Sequence, residues 1–240
     1  MRGLGTAFVV LMWLTTVADV VTGGWAWHFA DVMAGHSLEE AAGDEEIATL
    51  GLNALLGLVR TLLFFATGVV FVVWSWRVRS NSDLARPGAH RYHQQWVIWG
   101  WLPIVNFWIP RRLVLDSWSA AKPASSPAKQ TEVDVWWALF LGYLIADRVA
   151  SRLFLRAGTQ ADLAASAWAL DAVALLSVGA AAFATIVVRR VGDWQSTPGF
   201  VPPHDVPLPP PPMSFGPVEP ARPNVVNAPT EDPRWSRPTD

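Results

Sequence analysis

Five ionisable residues stand inside otherwise apolar stretches of this chain: Asp19, Arg60, Asp147, Arg148 and Asp171. An unpaired charge in lipid is costly, so such residues face each other or a wet cavity. At a helical rise of about 1.5 Å per residue, Asp171 lies about 12 Å and Arg148 about 10 Å below the outer ends of their stretches. By the same measure Asp19 lies about 12 Å deep and Arg60 about 17 Å, within reach of an arginine side chain. Two pairs follow, Asp19 with Arg60 and Arg148 with Asp171. Together they predict a charge-paired polar core in the outer half of a helical bundle. Such a core fixes helix register or lines a path for an ion or solute. Arg152 is closer to the surface and is expected to snorkel outward.

Other constellations carry less. His90 and His93 lie near Asp83, but their loop is basic and lacks a further carboxylate at ligand spacing, so it reads as a solvated loop. His28 and His36 with Asp31, Glu39 and Glu40 read the same way. The chain has no cysteine, which removes disulfides, thiolate metal sites and thiol catalysis. No nucleophile elbow, zinc-protease helix, phosphate loop or dinucleotide fingerprint occurs. No catalytic, cofactor-binding or metal-ligating residue is therefore expected, and the chain reads as non-enzymatic. A net charge of −2 gives no sign of nucleic-acid binding.

The elements that position these residues are oily. The chain is 52% hydrophobic and only 16% charged, against about 25% charged in soluble domains. A span needs roughly 20 mostly apolar residues. Four stretches qualify: Leu4 to Trp27, Thr49 to Trp76, Val135 to Leu155, and Leu163 to Val188. Three carry tryptophans at an end (Trp25 and Trp27, Trp74 and Trp76, Trp136 and Trp137), as expected at the headgroup level. Thr16-Val17-Ala18 is a passable leader-cleavage site, but the apolar run continues past it and only Arg2 precedes it, so the first stretch reads as a span. The loop between spans one and two holds Asp31, Glu39, Glu40, Asp44, Glu45 and Glu46 and no Lys or Arg. Between spans two and three lie Arg77, Arg79, Arg86, Arg91, Arg111, Arg112, Lys122 and Lys129, and span four ends in Arg189-Arg190. Cations mark the cytoplasmic side, so the expected topology in the cell membrane places both termini in the cytoplasm. The short link from Arg156 to Asp162 makes spans three and four antiparallel neighbours. Small residues along span four (Ala165, Ala169, Ala172, then Ser177, Gly179, Ala180, Ala181 and Ala182) permit close helix approach, within the bundle or in a homo-oligomer.

One segment fits no simple span. Trp96 to Ile109 is apolar but only about half a bilayer long, with Pro103 in its middle and Pro110 at its end. Extension to Trp118 would bury Arg111, Arg112 and Asp116. Residues 96–121 therefore read as a re-entrant or interfacial element on the cytoplasmic side. Pro110 opens a helix on which Leu113, Val114, Trp118 and Ala121 share a face, as in an amphipathic helix lying on the membrane. The arginines from Arg77 to Arg91 are placed to meet anionic lipid headgroups.

These residues also resemble a known pattern. Trp74-Ser75-Trp76-Arg77-Val78-Arg79-Ser80-Asn81, then Arg91, then the run from Trp96 through Gly100, Trp101, Pro103 and Asn106 to Pro110, then Asp116-Ser117-Trp118, resembles the actinobacterial membrane family called domain of unknown function 4328. The motif positions are Arg77, Arg79, Asn81, Trp96, Trp101, Pro103, Asn106, Pro110 and Trp118, and Trp136-Trp137 matches the family's tryptophan-led following span. The resemblance covers roughly Thr49 to Val188. It implies a polytopic membrane protein and no known activity.

From about Thr197 the composition changes to proline, with Pro209 to Pro212 in a row. Such a segment cannot bury enough apolar surface to fold. The expected organisation is thus a transmembrane domain over 1–195 and a disordered proline-rich cytoplasmic tail over 196–240. The fold expected is all-α, a polytopic membrane protein built as a four-transmembrane-helix bundle with the Trp/Pro-rich element between spans two and three. The expected partners are membrane lipids, with the tail or a second copy as a protein contact. The expected role is a scaffold or accessory protein, and the alternative is a small transporter or channel subunit.

Overall fold

A computed structural model of the chain describes residues 2–33, 44–88, 90–100 and 107–200. Its described residues form six helices and no strand: α1 (Arg2–Val32), α2 (Asp44–Ala85), α3 (Trp96–Trp99), α4 (Ile109–Ala121), α5 (Thr131–Leu155) and α6 (Gln160–Gln195). The chain divides into Met1–Pro203 and His204–Asp240. The second unit, and with it nearly all of the expected tail, lies outside the described residues. Residues 196–200 belong with the first unit, because Phe200 packs against its core.

Three helices are long and apolar enough to cross a membrane, over Gly3–Val32, Ile47–Ala85 and Gln160–Gln195. That marks a multi-pass membrane protein. The expectation of four such stretches is corrected here. Residues 135–155 are helical within α5, but Asp147, Arg148 and Arg152, with Asp134 and Glu132 before them, make α5 too charged to count by apolarity. The helices also outrun their predicted bounds. α2 continues nine residues beyond Trp76 to Ala85, carrying Arg77, Arg79 and Asp83 past the apolar stretch.

α6 is the hub. It packs along both α1 and α5, and α1 packs along α2. Its buried face is built from small residues, Ser166, Ala167, Ala174, Ser177, Ala180, Ala181 and Ala184, which let neighbouring backbones come close. Ala165 and Ala172, expected to share this face, are exposed instead. The turn between α5 and α6 is fixed by a capping box, in which the Thr159 hydroxyl accepts from the Asp162 amide and Asp162 accepts from the Thr159 amide. These satisfy amides that the first helical turn leaves free.

The end of the bundle where α1 and α5 begin and α2 and α6 finish, its inner end in the topology expected from the cations, is aromatic. Phe8, Phe71, Trp74, Trp136 and Trp137 are buried together with Val187, Val188 and Val191. Trp74, Trp136 and Trp137 were expected to face the headgroup layer. They turn inward because α4 lies across this end and covers them. Leu113, Val114, Trp118 and Ala121 are all buried, and Trp118 is 0% exposed. The apolar face of α4 is thus seated on α2, α5 and α6, not on the membrane surface as an isolated amphipathic helix would be. Arg111 to Asp134 (2.7 Å) and Arg190 to Glu132 tie the inner ends of α4, α5 and α6.

Candidate functional site

Halfway along the bundle the polar side chains form a layer. α1 contributes Asp19, whose side chain is 0% exposed. α2 contributes Arg60. Its Nε donates to Asp19 Oδ1 at 2.5 Å and its Nη2 donates to Asp147 Oδ1 of α5 at 2.6 Å. One guanidinium therefore bridges carboxylates from two other helices, a geometry that its planar fork suits and an ammonium would not. Tyr143, one turn inward on α5, is buried beside it. Asp19 Oδ2 is buried and has no hydrogen-bond partner.

The pairing differs from expectation on one side. Asp19 and Arg60 are brought together, but Arg148 and Asp171 are not. Asp171 accepts from the Trp27 indole at 3.0 Å, and Arg148 is exposed. The reason is angular. Consecutive residues point about 100° apart on a helix, so only one of Asp147 and Arg148 can face inward. Asp147 does, because Arg60 offers it a partner.

Inward of the charges the layer becomes hydroxylic. Thr15 Oγ1 meets Thr67 Oγ1 and Thr16 Oγ1 meets Ser177 Oγ, both at 3.0 Å. Below that it closes. Phe8, Phe71 and Trp136 each stand eleven residues inward from Asp19, Arg60 and Asp147 on the same three helices, or about 16 Å. Their rings touch, Phe8 to Phe71 at 5.0 Å and Phe71 to Trp136 at 5.6 Å between centroids. The polar layer therefore ends on an aromatic plug.

A second polar group sits at the inner end. Arg79 is only 4% exposed. Its Nε donates to Asp83 Oδ2 at 3.2 Å, and its Nη2 donates to the Tyr92 carbonyl. It thus pins the α2–α3 connection against α2. Its Nη1 has no partner and borders a small cavity lined by Ser75, Val97, Leu113 and Ser117. His90 does not lie in a solvated loop as expected. Its side chain is 1% exposed, with Nδ1 2.8 Å from Asp83 Oδ1, though off the axis for a hydrogen bond. Burial holds the imidazole below its ordinary titration range, and the charge of Arg79 adds to the effect. Among the described residues no three His, Asp or Glu side chains converge as a metal site.

The remaining motif positions divide. Arg77 is exposed, Asn81 half-buried, Pro110 buried at the start of α4, and Trp96 at the exposed edge of α3. Trp101, Pro103 and Asn106 lie outside the described residues. A family model described as a domain of unknown function, DUF4328, matches residues 39–193. The chain belongs to the DUF4328 family. No curated protein and no solved structure matches it. The DUF4328 match takes in Arg60, Arg79, Asp147 and Asp171 but begins after α1, so Asp19 stands outside it. Sequence reasoning missed Asp147 as the inward partner. The signal available was that Asp147, Tyr143 and Ala150 fall three or four apart, on one helical face.

Proposed function

We propose that this DUF4328 protein is a non-enzymatic scaffold or accessory protein of the cell membrane, with four helices crossing and both termini in the cytoplasm. The observation that carries the role is the aromatic closure below the charge layer. A polar layer that ends on packed rings and bridges three helices through one arginine suits fixing the bundle better than conducting through it. Support for a fourth crossing is that α5 runs alongside α6 and that its Asp147 is turned onto Arg60 of α2. Support for orientation is the run of cations from Arg77 to Lys129 against the carboxylates of the loop after α1.

The contact surface in this reading is the inner end. Ile98, Trp99, Phe107 and Trp108 are exposed there, and so are Arg77 on α2, Arg86 and Arg91 after it, and Arg112 on α4. Apolar rings beside arginines suit a membrane face rich in anionic headgroups. Partners reach the protein through this surface or through the segment after residue 200.

Single cysteines test the topology, since the chain has none of its own. Introduced at His36 and at Thr159, they are expected to react with an impermeant maleimide from outside. Introduced at Arg86, a cysteine is expected to react only after permeabilisation. Labelling of His36→Cys and Arg86→Cys from one face would end the proposal. The role is tested by reconstitution: flux of ions across proteoliposomes is expected to match empty vesicles. A second reading, a small transporter, is favoured by the surplus of carboxylates in the charge layer. Flux that disappears in Arg60→Leu would establish it over the first.

A further inference from the structure

The charge layer holds more carboxylates than cations to meet them. Among the described residues Arg60 is the single guanidinium within it, and it is shared by Asp19 and Asp147 at 2.5 and 2.6 Å. The groups facing this centre are Asp19 from α1, Arg60 from α2, Tyr143 and Asp147 from α5, and, about one turn outward, Asp171 from α6 beside Gly23. Arg148 is exposed and makes no ion pair, and Arg152 is likewise exposed. With both bridged carboxylates ionised, the triad carries one uncompensated negative charge at mid-bundle. Asp171, about one turn outward, brings no cation to offset it. Deep inside a membrane protein such a charge is costly and is removed by protonation or pairing.

The geometry also shows where the missing charge would go. Asp19 Oδ1 takes the Arg60 Nε, while Oδ2 of the same carboxylate is buried without a partner. An ionised carboxylate would leave that oxygen desolvated and unsatisfied. The Ser177 hydroxyl, paired with Thr16 at 3.0 Å, lies beside Asp19 and can give it at most one hydrogen bond, where a hard metal cation takes about six or more oxygen ligands. Asp147 is the more open of the two carboxyl groups, its side chain 25% exposed against 0% for Asp19, so exchange runs through it rather than through Asp19.

We infer that the Asp19–Arg60–Asp147 triad holds one exchangeable proton, shared between its two carboxyl groups. The inference rests on the helices lying across a membrane, and it requires no transport. The step is an ordinary protonation: a proton from water adds to one carboxylate oxygen, leaving a guanidinium, one carboxylate and one neutral carboxyl, with no net charge. Release through Asp147 returns the triad to a charge of −1. The centre is thereby a proton-binding site, closed toward the end where α1 and α5 begin by Phe8, Phe71 and Trp136.

Infrared spectroscopy of the full-length protein in lipid tests this directly, because a protonated carboxyl has a carbonyl stretch above the amide band that an ionised one lacks. In neutral buffer the wild type is expected to show that band, with a small shift in heavy water and loss in alkaline buffer. Asp19→Asn and Asp147→Asn each leave Arg60 with one carboxylate. Each is therefore expected to lose the band while keeping native helicity. Absence of the band from the wild type would overturn the inference. So would a band that survives in both variants, which would assign it to another acid such as Asp171. Stabilisation of the wild type by sodium but not by a bulky organic cation, with no band, would replace the proton with a metal ion and equally overturn it. Labelling of the introduced cysteines fails independently of this band, so a wrong topology and a wrong protonation state are told apart.

Discussion

Removing Arg60 is the sharpest perturbation of this fold. Arg60→Leu deletes both bridging hydrogen bonds and leaves Asp19, with its fully buried side chain, without a counter-charge. Breaking a buried ion pair by removing one partner costs about 3–5 kcal/mol, chiefly through the charge left behind. Part of that is relieved if Asp19 protonates, so the lower end of the range is expected in mildly acidic buffer and the upper end in alkaline buffer. Arg60→Lys keeps the charge but not the fork. An ammonium reaches one carboxylate well, so one of two charged hydrogen bonds is lost, at about 1.5–3 kcal/mol. The triple variant Arg60→Leu, Asp19→Asn, Asp147→Asn removes all three ionisable groups, and replacing a whole buried ionic group is often close to neutral. Unfolding in mixed micelles, followed by circular dichroism, ranks the variants. The expected order is wild type close to the triple variant, then Arg60→Lys, then Arg60→Leu. An Arg60→Leu protein as stable as the wild type at every pH would refute the idea that these charges are buried together.

Three further outcomes follow from the inner end. Trp118→Ala empties a fully buried site at the junction of α4 with α2 and α6 and is expected to cost about 3–5 kcal/mol. Trp118→Phe is expected to cost far less, since the indole N–H makes no hydrogen bond, and thermal unfolding distinguishes the two. Gly100→Ala places a methyl 2.7 Å from both the Trp96 carbonyl and the Ile109 side chain. It should force α3 and α4 apart at a cost of about 1–3 kcal/mol, seen as faster hydrogen exchange in α4. His90 is less basic folded than unfolded, so the folded state binds fewer protons as pH falls through the range between the two values. Its contribution is full above the unfolded value of about 6.5 and is lost as pH drops through the lower, folded one. Protection of the amides around residues 90–100, taken relative to the intrinsic exchange rate at each pH, should therefore fall on acidification, and His90→Gln should flatten that dependence. A wild type whose local protection is insensitive to mild acid would contradict the burial.

Much of this architecture was readable because hydropathy acts on whole segments. α1, α2 and α6 announce themselves as runs of Val, Leu and Ala that no soluble surface would carry. α5 was harder. Its residues are helical where expected, but Asp147, Arg148 and Arg152 defeat apolarity, and what permits the first of them is Arg60, about ninety residues away in sequence. The Asp19–Arg60 contact followed from depth alone, since both lie in the outer half of their helices. Depth could not choose between Asp147 and Arg148, which differ by about 1.5 Å along the axis but by about 100° around it. The tryptophans misled for a related reason. Trp74, Trp136 and Trp137 stand at the level where an interfacial belt would be, yet α4 covers that level, and whether a ring meets lipid or protein depends on a helix folded back from elsewhere in the chain. His90 is another case. Its neighbours Arg86, Pro87 and Arg91 look solvated, but Arg79 draws the connection inward through the Tyr92 carbonyl.

The same tension suggests how the bundle assembles. In the proposed topology α1 and α2 are the apolar hairpin expected to insert first, bringing Asp19 to Arg60 in a pair that leaves one arm of the guanidinium free. α5 is too charged to be stable in lipid alone. Its short capped turn to α6 lets the two enter together, with the small-residue face of α6 as the surface along which α5 and α1 both pack. Asp147 then finds the free arm of Arg60, and the burial of its charge becomes conditional on the first hairpin being in place. A helix that is unstable until its partner is present makes assembly ordered. It also explains why the charges sit where three helices meet, since a pair between two helices would complete itself early and do nothing to recruit the third.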